Sequence, residues 1–202
     1  MRDGLTRVSE SITIVRGEEE LYRRTAHLFA AATDLACAAA GLASWVGDHR
    51  SEEFAAAARA RSGETRVRKI YPAGLLLDSV AARELVRRSE QLGAQIRVTP
   101  EEINETIILD RRVVILAGDR KAGRRGYSVI TQPEVVQGVQ SLFETAWRSA
   151  VDLAAYDAQV AEIRRLGLSL RTYRRRVAEL MAALGAESRF QAGVRARELG
   201  LV

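Results

Sequence analysis

The residues of this chain best suited to a chemical task are the arginines of its last 45 positions. Residues 158–202 contain nine arginines and four glutamates, a net charge of +5. The preceding 157 residues contain 22 basic and 22 acidic side chains, so the whole positive excess lies in this short segment. Guanidinium groups gathered in this way are typical of a module that binds a polyanion. Arginines on an ordinary solvated helix face are the alternative explanation.

Other side chains capable of catalysis or metal binding are few. The single cysteine, Cys37, excludes an internal disulfide and a site built from several cysteines, and favours a reducing cytoplasm. Cys37 lies in an alanine-rich run and is expected to be a core residue. The two histidines, His27 and His49, are expected on a helix face or in a loop. We therefore expect no cofactor and no metal.

The segment 119–126 is glycine-containing and basic, as many phosphate-binding loops are. It follows a predicted strand, but it opens no helix and lacks the Gly-Lys-Ser/Thr order, so we expect a solvated hairpin loop. The sequence shows no basic-then-apolar leader and no run of 18 uncharged apolar residues. This predicts a soluble, cytoplasmic protein without membrane contact.

Residue spacing predicts the elements that carry these side chains. Helical periodicity predicts helices at 18–32, 51–60, 77–92 and 133–147. Alternating or β-branched runs predict strands at 66–71, 94–98, 105–109, 112–116 and 127–131. The segment 35–46 fits either a buried strand or more helix, and 61–65 is a predicted loop. Together they predict an α/β fold, a mixed sheet with flanking helices.

Beyond Asp152 no strand-like run occurs, and the spacing predicts three helices at 157–166, 169–184 and 187–199. The first two are separated by Leu166-Gly167-Leu168-Ser169, a tight turn whose serine can cap the following helix. Such a turn between two helices is typical of a helix-turn-helix. We therefore predict a small all-α module at the C-terminus.

The string SLRTYRRRVAELMAALGAESRFQAGVRARELGL, from Ser169 to Leu201, resembles the C-terminal half of a LuxR-type helix-turn-helix. The resemblance implies that Ser169 and Thr172 cap the recognition helix and touch backbone phosphate. It implies that Arg174 and Arg175 reach base edges in the major groove. The remaining implied DNA contacts are Arg171, Arg176 and Arg189.

The resemblance also implies how this module packs. The buried side of the recognition helix would be Tyr173, Val177, Leu180 and Leu184, and the last helix would pack through Val194, Leu199 and Leu201. Ahead of Leu166 the chain departs from the family, because Glu162 and Ile163 stand one position out of register. The family's first helix is missing or supplied by residues 133–155. A three-helix appendage that only dimerises is the alternative.

The elements of residues 18–150 resemble the phospholipase-D-like regulatory domain of actinobacterial and TrmB-type regulators. The resemblance lies in their order, with Tyr71-Pro72, the hairpin ILDRRVVILAGD and a helix ending in LFETAW. Enzymes of that fold carry H-x-K-x4-D before such a hairpin, for nucleophilic attack and phosphoryl neutralisation. Counting back from Asp110 places Ile103 and Glu105 at the histidine and lysine positions. Neither can do that chemistry, so we expect no enzyme.

The predicted organisation is an extension at 1–17, a phospholipase-D-like regulatory and dimerisation domain at 18–152, and a LuxR-type helix-turn-helix at 153–202. The expected function is transcription regulation by a homodimer that reads an inverted repeat in double-stranded DNA through Ser169–Leu184. The α/β domain could also sense an unidentified small-molecule or protein effector. The alternative is a protein-interaction factor whose basic helices bind an acidic partner or another regulator.

Overall fold

The computed structural model describes residues 11–38, 65–78, 80–121, 124–186 and 189–201. The chain divides into two compact units, Met1–Leu153 and Ala154–Val202. The predictions for residues 39–46, 51–60 and 61–64 lie outside the described residues. None of the described helices is long and apolar enough to cross a membrane.

The first unit is built on one sheet of eight strands in the order β1-β7-β6-β5-β2-β3-β4-β8. Strand β3 pairs in parallel with β2 and β4, and every other neighbouring pair is antiparallel. The strands are β1 Ile12–Arg16, β2 Asp34–Ala38, β3 Arg66–Pro72, β4 Gln95–Thr99, β5 Thr106–Leu109, β6 Val113–Lys121, β7 Arg124–Ile130 and β8 Val151–Asp152.

Helices flank this sheet and form the described part of the second unit. In the first unit they are α1 Glu18–Ala31, α2 Ala73–Asp78, α3 Val80–Gln91 and α4 Pro133–Ser149. The following helices are α5 Leu153–Arg165, α6 Leu170–Ala183 and α7 Arg189–Glu198. The predicted mixed α/β fold with flanking helices is confirmed.

Most elements lie where their residue pattern predicts them. Helix α1 begins with three glutamates at the positive end of its dipole, and Pro133 stands in the first turn of α4. Helix α3 ends at Gln91, and the chain then turns at Gly93, whose φ of 88° a glycine adopts without strain. The undecided segment 35–46 begins as strand β2, which is buried between β3 and β5.

The predicted extension at 1–17 is wrong for its last residues, because Ile12–Arg16 forms edge strand β1. This strand pairs antiparallel with β7 along its whole length, from Ile12 opposite Ile130 to Arg16 opposite Gly126. Val15 is buried while Ile12 and Ile14 are exposed, as the two-residue period of a strand requires. The sheet domain therefore starts before residue 18.

The predicted solvated loop at 119–126 is also wrong, because most of it is paired strand. Strand β6 continues to Lys121 and β7 starts at Arg124, with Arg120 opposite Arg125. A register shift between Ala117 and Arg120 marks an irregularity that interrupts the ladder. Residues 119–121 and 124–126 thus belong to strands and not to a loop.

The core has one layer on each face of the sheet. Beneath α1 it includes Leu21, Cys37, Ile107, Ile115 and Tyr127. Beneath α4 it includes Ile70, Ile108, Val114, Val136 and Phe143. Adjacent residues such as Ile107 and Ile108 belong to opposite layers because successive side chains of a strand point to opposite faces. The expectation that Cys37 is a core residue is confirmed, since it is buried in the first layer.

Candidate nucleic-acid interface and sheet-edge site

The turn between α5 and α6 is held by hydrogen bonds at both helix ends. Gly167 has a φ of 70°, its N–H donates to the Arg164 carbonyl at 3.0 Å, and the N–H of Leu168 donates to that of Ile163 at 3.3 Å. This pattern is a Schellman motif, which requires a left-handed residue at the glycine position. The turn therefore ends α5 at a defined point.

Ser169 caps the next helix, as its residue type predicts. Its hydroxyl oxygen accepts a hydrogen bond from the Thr172 N–H at 3.1 Å and lies 2.8 Å from the Thr172 hydroxyl. The first N–H groups of α6 are left for an outside acceptor, and the helix dipole makes this end favourable for anions. Ser169 and Thr172 thus lie beside a natural anion-binding position.

Six of the seven predicted site residues lie at the start of a single helix. Arg175 and Arg176 on α6 are exposed, and the Arg175 guanidinium approaches Glu179 at 3.8 Å, a weak surface pair. Arg171 and Arg174 belong to the same helix, three positions apart, and Arg189 is the first residue of α7. For Arg171, Arg174 and Arg189 the structure describes only the backbone position.

The predicted packing of this module is partly wrong. Leu184 is buried, and Tyr173 and Val177 are half-buried, but Leu180 is 53% exposed. Val194 on α7 is 41% exposed, and Leu199 and Leu201, which follow this helix, are 66% and 62% exposed. The described helices are short and few, and they do not cover all the apolar surface that the pattern assigns to the interior.

Arg195 is a residue whose role the sequence interpretation missed. Its Nη1 donates to the Leu184 carbonyl oxygen at 2.5 Å, at the C-terminal end of α6. The same nitrogen lies 2.7 Å from the place where a Cβ at residue 185 would stand, and Gly185 has a φ of 59°. Arg195 therefore joins α7 to α6 and neutralises a helix terminus. Counting Arg195 among the charges that can bind DNA therefore overestimates the positive charge available for DNA.

A second candidate site lies at the edge of the sheet formed by the strand ends, where β5 begins. Glu105 is buried, and its Oε2 accepts a hydrogen bond from Nη1 of Arg125 on β7. Nε of Arg125 donates to the Gly118 carbonyl at 3.0 Å, inside the irregular part of β6. Oε1 of Glu105 has no hydrogen-bond partner among the described residues. The carboxylate is therefore held by an ion pair inside the protein.

The three positions of the expected phosphodiesterase motif do not form a reactive group. Ile103 packs against the apolar layer beneath α4. Glu105 precedes β5 and Asp110 follows it, so the two residues are roughly 17 Å apart at about 3.3 Å per residue. Burial raises the pKa of the Cys37 thiol to about 11, so this cysteine remains protonated and unreactive.

A buried arginine on the face of the sheet beneath α4 is a further feature that the sequence analysis missed. Arg68 on β3 is only 3% exposed, and its Nη1 lies 2.8 Å from Oε1 and 3.0 Å from Oε2 of Glu144. Its Cζ is 5.2 Å from the centroid of the Phe143 ring and 5.5 Å from that of Trp147. Alternation in RVRKIY placed Arg68 correctly in a strand, but long-range partners decide that it is buried.

Two similarities in sequence relate this chain to known proteins. A family model described as a domain of unknown function, DUF6879, matches residues 80–158. The chain is 28% identical to a bialaphos biosynthetic pathway regulatory protein of Streptomyces hygroscopicus, over 63% of this chain and 58% of that protein. The chain therefore spans less than two thirds of the length of this relative.

Solved structures show the fold class. Nuc, a phospholipase D family member from Salmonella typhimurium, has a TM-score of 0.54 at 15% identity, covering 70% of this chain and 97% of Nuc. The archaeal chromatin protein TrmBL2, whose structure shows a novel mode of DNA binding, has a TM-score of 0.51 at 17% identity, covering 74% of this chain and 56% of that chain. The fold is phospholipase-D-like. At these identities the likeness concerns the fold alone, and the LuxR-type helix-turn-helix stays a prediction.

Proposed function

We propose that this protein is a transcription regulator that binds double-stranded DNA through α6. Two similarities support the proposal: a relative is a pathway regulatory protein, and a structure of related fold belongs to a DNA-binding chromatin protein. Neither identifies the residues involved. Those follow from the chemistry of the C-terminal unit and from its LuxR-type sequence pattern.

The observation that carries the proposal is the exposure of arginines on a capped helix. Arg175 and Arg176 are exposed on α6, which begins at the Ser169 cap. The helix belongs to the segment that holds the chain's whole net charge of +5. A helix of this kind can enter the major groove, where an arginine forms two hydrogen bonds with O6 and N7 of guanine.

Each predicted residue then has a distinct task on DNA. Ser169 and Thr172 place the positive end of α6 against a backbone phosphate, which sets the register without reading sequence. Arg174 and Arg175 are assigned to base edges, and Arg171, Arg176 and Arg189 to phosphates. Because Glu179 lies 3.8 Å from Arg175, that arginine exchanges a weak surface partner for guanine.

The phospholipase-D-like unit acts, in this proposal, as a dimerisation or sensing domain without catalysis. A phosphodiesterase of this fold needs a cation beside the transferred phosphoryl group. Here the corresponding Glu105 is a carboxylate already paired with Arg125. Ile103, at the position of the motif's histidine, offers no nucleophile.

The proposal is tested by footprinting the full chain on the DNA upstream of its own and neighbouring genes. Arg174→Ala with Arg175→Ala should abolish the footprint, because each lost bidentate contact removes about 1–3 kcal/mol of discrimination. Affinity should also fall steeply with salt as condensed counterions are released. Arg87→Ala, an exposed arginine on α3, is the matched control and should leave the footprint unchanged. Salt-independent binding, or full affinity in the double variant, contradicts the proposal.

A second candidate function is binding of another protein, and one observation favours it. Leu180, Leu199 and Leu201 expose large apolar side chains, which can mark a protein-interaction surface. In that case Leu180→Ser should weaken binding of the partner protein. The protein should either not bind DNA at all or bind it equally well with and without this change. If the protein instead regulates transcription by binding DNA, changes at the arginines of α6 should weaken binding more than Leu180→Ser does.

A further inference from the structure

Among the described residues, strand β1 is the outermost strand on one side of the sheet. Every second residue along it makes the hydrogen bonds to β7. The Ser11 carbonyl oxygen accepts from the N–H of Thr131, and the N–H of Gly17 donates to the Arg125 carbonyl oxygen, both at 2.8 Å. Hydrogen-bonded and non-hydrogen-bonded pairs alternate in an antiparallel ladder. The even-numbered residues of β1 therefore direct their N–H and C=O groups away from β7, towards the open edge.

These even-numbered residues are Ile12, Ile14 and Arg16, and their side chains share one face of the sheet. Ile12 lies opposite Ile130, which belongs to the core layer beneath α4, so this is the α4 face. Ile12 is 51% exposed and Ile14 is 64% exposed. Natural proteins protect an edge strand with charges, prolines or a very short strand, and residues 12–15 have neither charge nor proline. Such an edge is suited to pairing with another strand.

We propose that this other strand is β1 of a second copy of the chain, paired antiparallel in a register centred on Thr13, so that two sheets become one. The proposal rests on the proposed function only in taking the phospholipase-D-like unit as the part that dimerises. It goes further by naming the surface and its register. Because the interface is two-fold symmetric, each contact between the copies occurs twice.

The sequence of β1 is complementary to itself in this register. Centring on Thr13 places Ile12 of each copy opposite Ile14 of the other, and both have outward-directed backbone groups, so each pair exchanges two hydrogen bonds. The same register brings Arg16 opposite position 10 of the other copy, which is Glu10. Opposite charges directly across two strands stabilise their pairing. Centring on Ile14 would instead bring Arg16 opposite Ile12, which offers no charge.

The two faces of the joined sheet also match across the two-fold axis. On the α4 face, the isoleucines of both copies lie together and are removed from water. Thr13 lies on the other face, since Val15, two positions on, belongs with Tyr127 to the layer beneath α1. The two copies of Thr13 form a non-hydrogen-bonded pair, whose Cα atoms are about 4.5 Å apart. This distance is within the range of about 4.4–6.8 Å that a disulfide spans.

A disulfide across the two-fold axis tests the register. The full chain with Thr13→Cys should form a covalent dimer under mild oxidation with copper phenanthroline, measured by non-reducing gel electrophoresis. The natural Cys37 is buried, so the unchanged chain should stay monomeric on this gel. Ser141→Cys places an exposed thiol on α4 and should cross-link at least about tenfold more slowly. Cross-linking of Thr13→Cys that is no faster than that of Ser141→Cys overturns the proposal.

Substitutions in β1 test the interface without a cross-link. Ile14→Lys should raise the dimer dissociation constant at least about tenfold in sedimentation equilibrium, because a lysine blocks pairing of an edge strand. Leu142→Lys, at a 72% exposed leucine on α4, is the control and should leave it unchanged. Arg16→Glu and Glu10→Arg should each weaken the dimer, since like charges then face each other, and the two together should restore it.

Restoration by the double change separates strand pairing from a folding defect in either single variant. A dimer that Ile14→Lys leaves intact, a double change that restores nothing, or a full chain that is monomeric at micromolar concentration overturns the proposal. DNA binding is measured separately by the footprint of the unchanged chain. A footprint lost in the Arg174→Ala, Arg175→Ala variant therefore supports the proposed function even where the β1 interface fails.

Discussion

The N–H of Asp34 donates to Oδ1 of Asp110 at 2.8 Å, and the N–H of Asp110 donates back to the Asp34 carbonyl oxygen at 2.8 Å. Thr33 adds its own N–H at 2.8 Å and its hydroxyl at 3.1 Å to the same Oδ1. The Asp110 carboxylate thus fastens the turn between β5 and β6 to the start of β2. In the structure, the Asp110 carboxylate therefore has a stabilising role.

Asp110→Asn should lower the free energy of unfolding in a pH-dependent way. Burial acts to raise the pKa of Asp110, but hydrogen bonds from Asp34 and Thr33 and the nearby Arg112 outweigh it, so the folded-state pKa lies below its ordinary value. The stabilisation is therefore present above about pH 4 and lost as pH falls through the folded-state pKa. Asparagine also tolerates the φ of 48° at this position.

Urea unfolding of both proteins at pH 7 and pH 3 measures this effect. The difference in free energy of unfolding should be clear at pH 7 and small at pH 3. Asp157→Asn, at an exposed position on α5, is the control and should show little difference at either pH. An equal loss for Asp110→Asn at both pH values would mean that the charge is not what stabilises the turn.

Arg68 and Glu144 should be coupled in a double-mutant cycle. Removing one partner of a fully buried ion pair costs about 3–5 kcal/mol, and we expect about 1–3 kcal/mol here because Glu144 is partly exposed. Arg68→Met with Glu144→Gln should lose less stability than the two single changes added together. The exposed pair Arg165 and Glu162 gives a control cycle with a coupling of about 0–0.5 kcal/mol. Additive losses at Arg68 and Glu144 would rule out the coupling.

The purified protein should not hydrolyse bis(p-nitrophenyl) phosphate, with or without added divalent metal. The reason is that Ile103 and Glu105 offer neither nucleophile nor cation, and a carboxylate repels the phosphodiester. Release of nitrophenolate at 405 nm is the measurement. Turnover that persists unchanged in Glu105→Gln would point to a contaminant, while turnover that this change abolishes in a folded protein would refute the non-catalytic assignment.

The full chain should be a homodimer that reads two half-sites on one face of DNA. One small helix-turn-helix reads few base pairs, and a two-fold dimer places recognition helices about 34–36 Å apart in successive major grooves. Inserting about five base pairs between half-sites should abolish binding, and inserting about ten should restore part of it. Sedimentation equilibrium at micromolar concentration checks the dimer. A monomer that binds all spacings equally would show that the pairing argument fails.

Local patterns were enough to predict most elements of the fold. The alternation of 66–71, the periodicity of 18–32 and the proline at the start of α4 each report burial or backbone geometry within a few residues. The Ser169 cap was predictable for the same reason, since capping links residues only three apart. The extent of β6 and β7 was not, because the polar, basic residues at 119–126 show no alternation with apolar ones.

The sequence by itself determined that the chain carries a basic, helical C-terminal segment and an α/β domain without the histidine and lysine of a phosphodiesterase. Only the tertiary structure decided that Arg68 is buried against Glu144, which is 76 positions away, and that Glu105 is paired with Arg125. It also decided that Leu180 lies outside the core. Residue spacing encodes which face of an element is apolar, whereas the partner of a buried charge depends on which distant elements the fold brings against it.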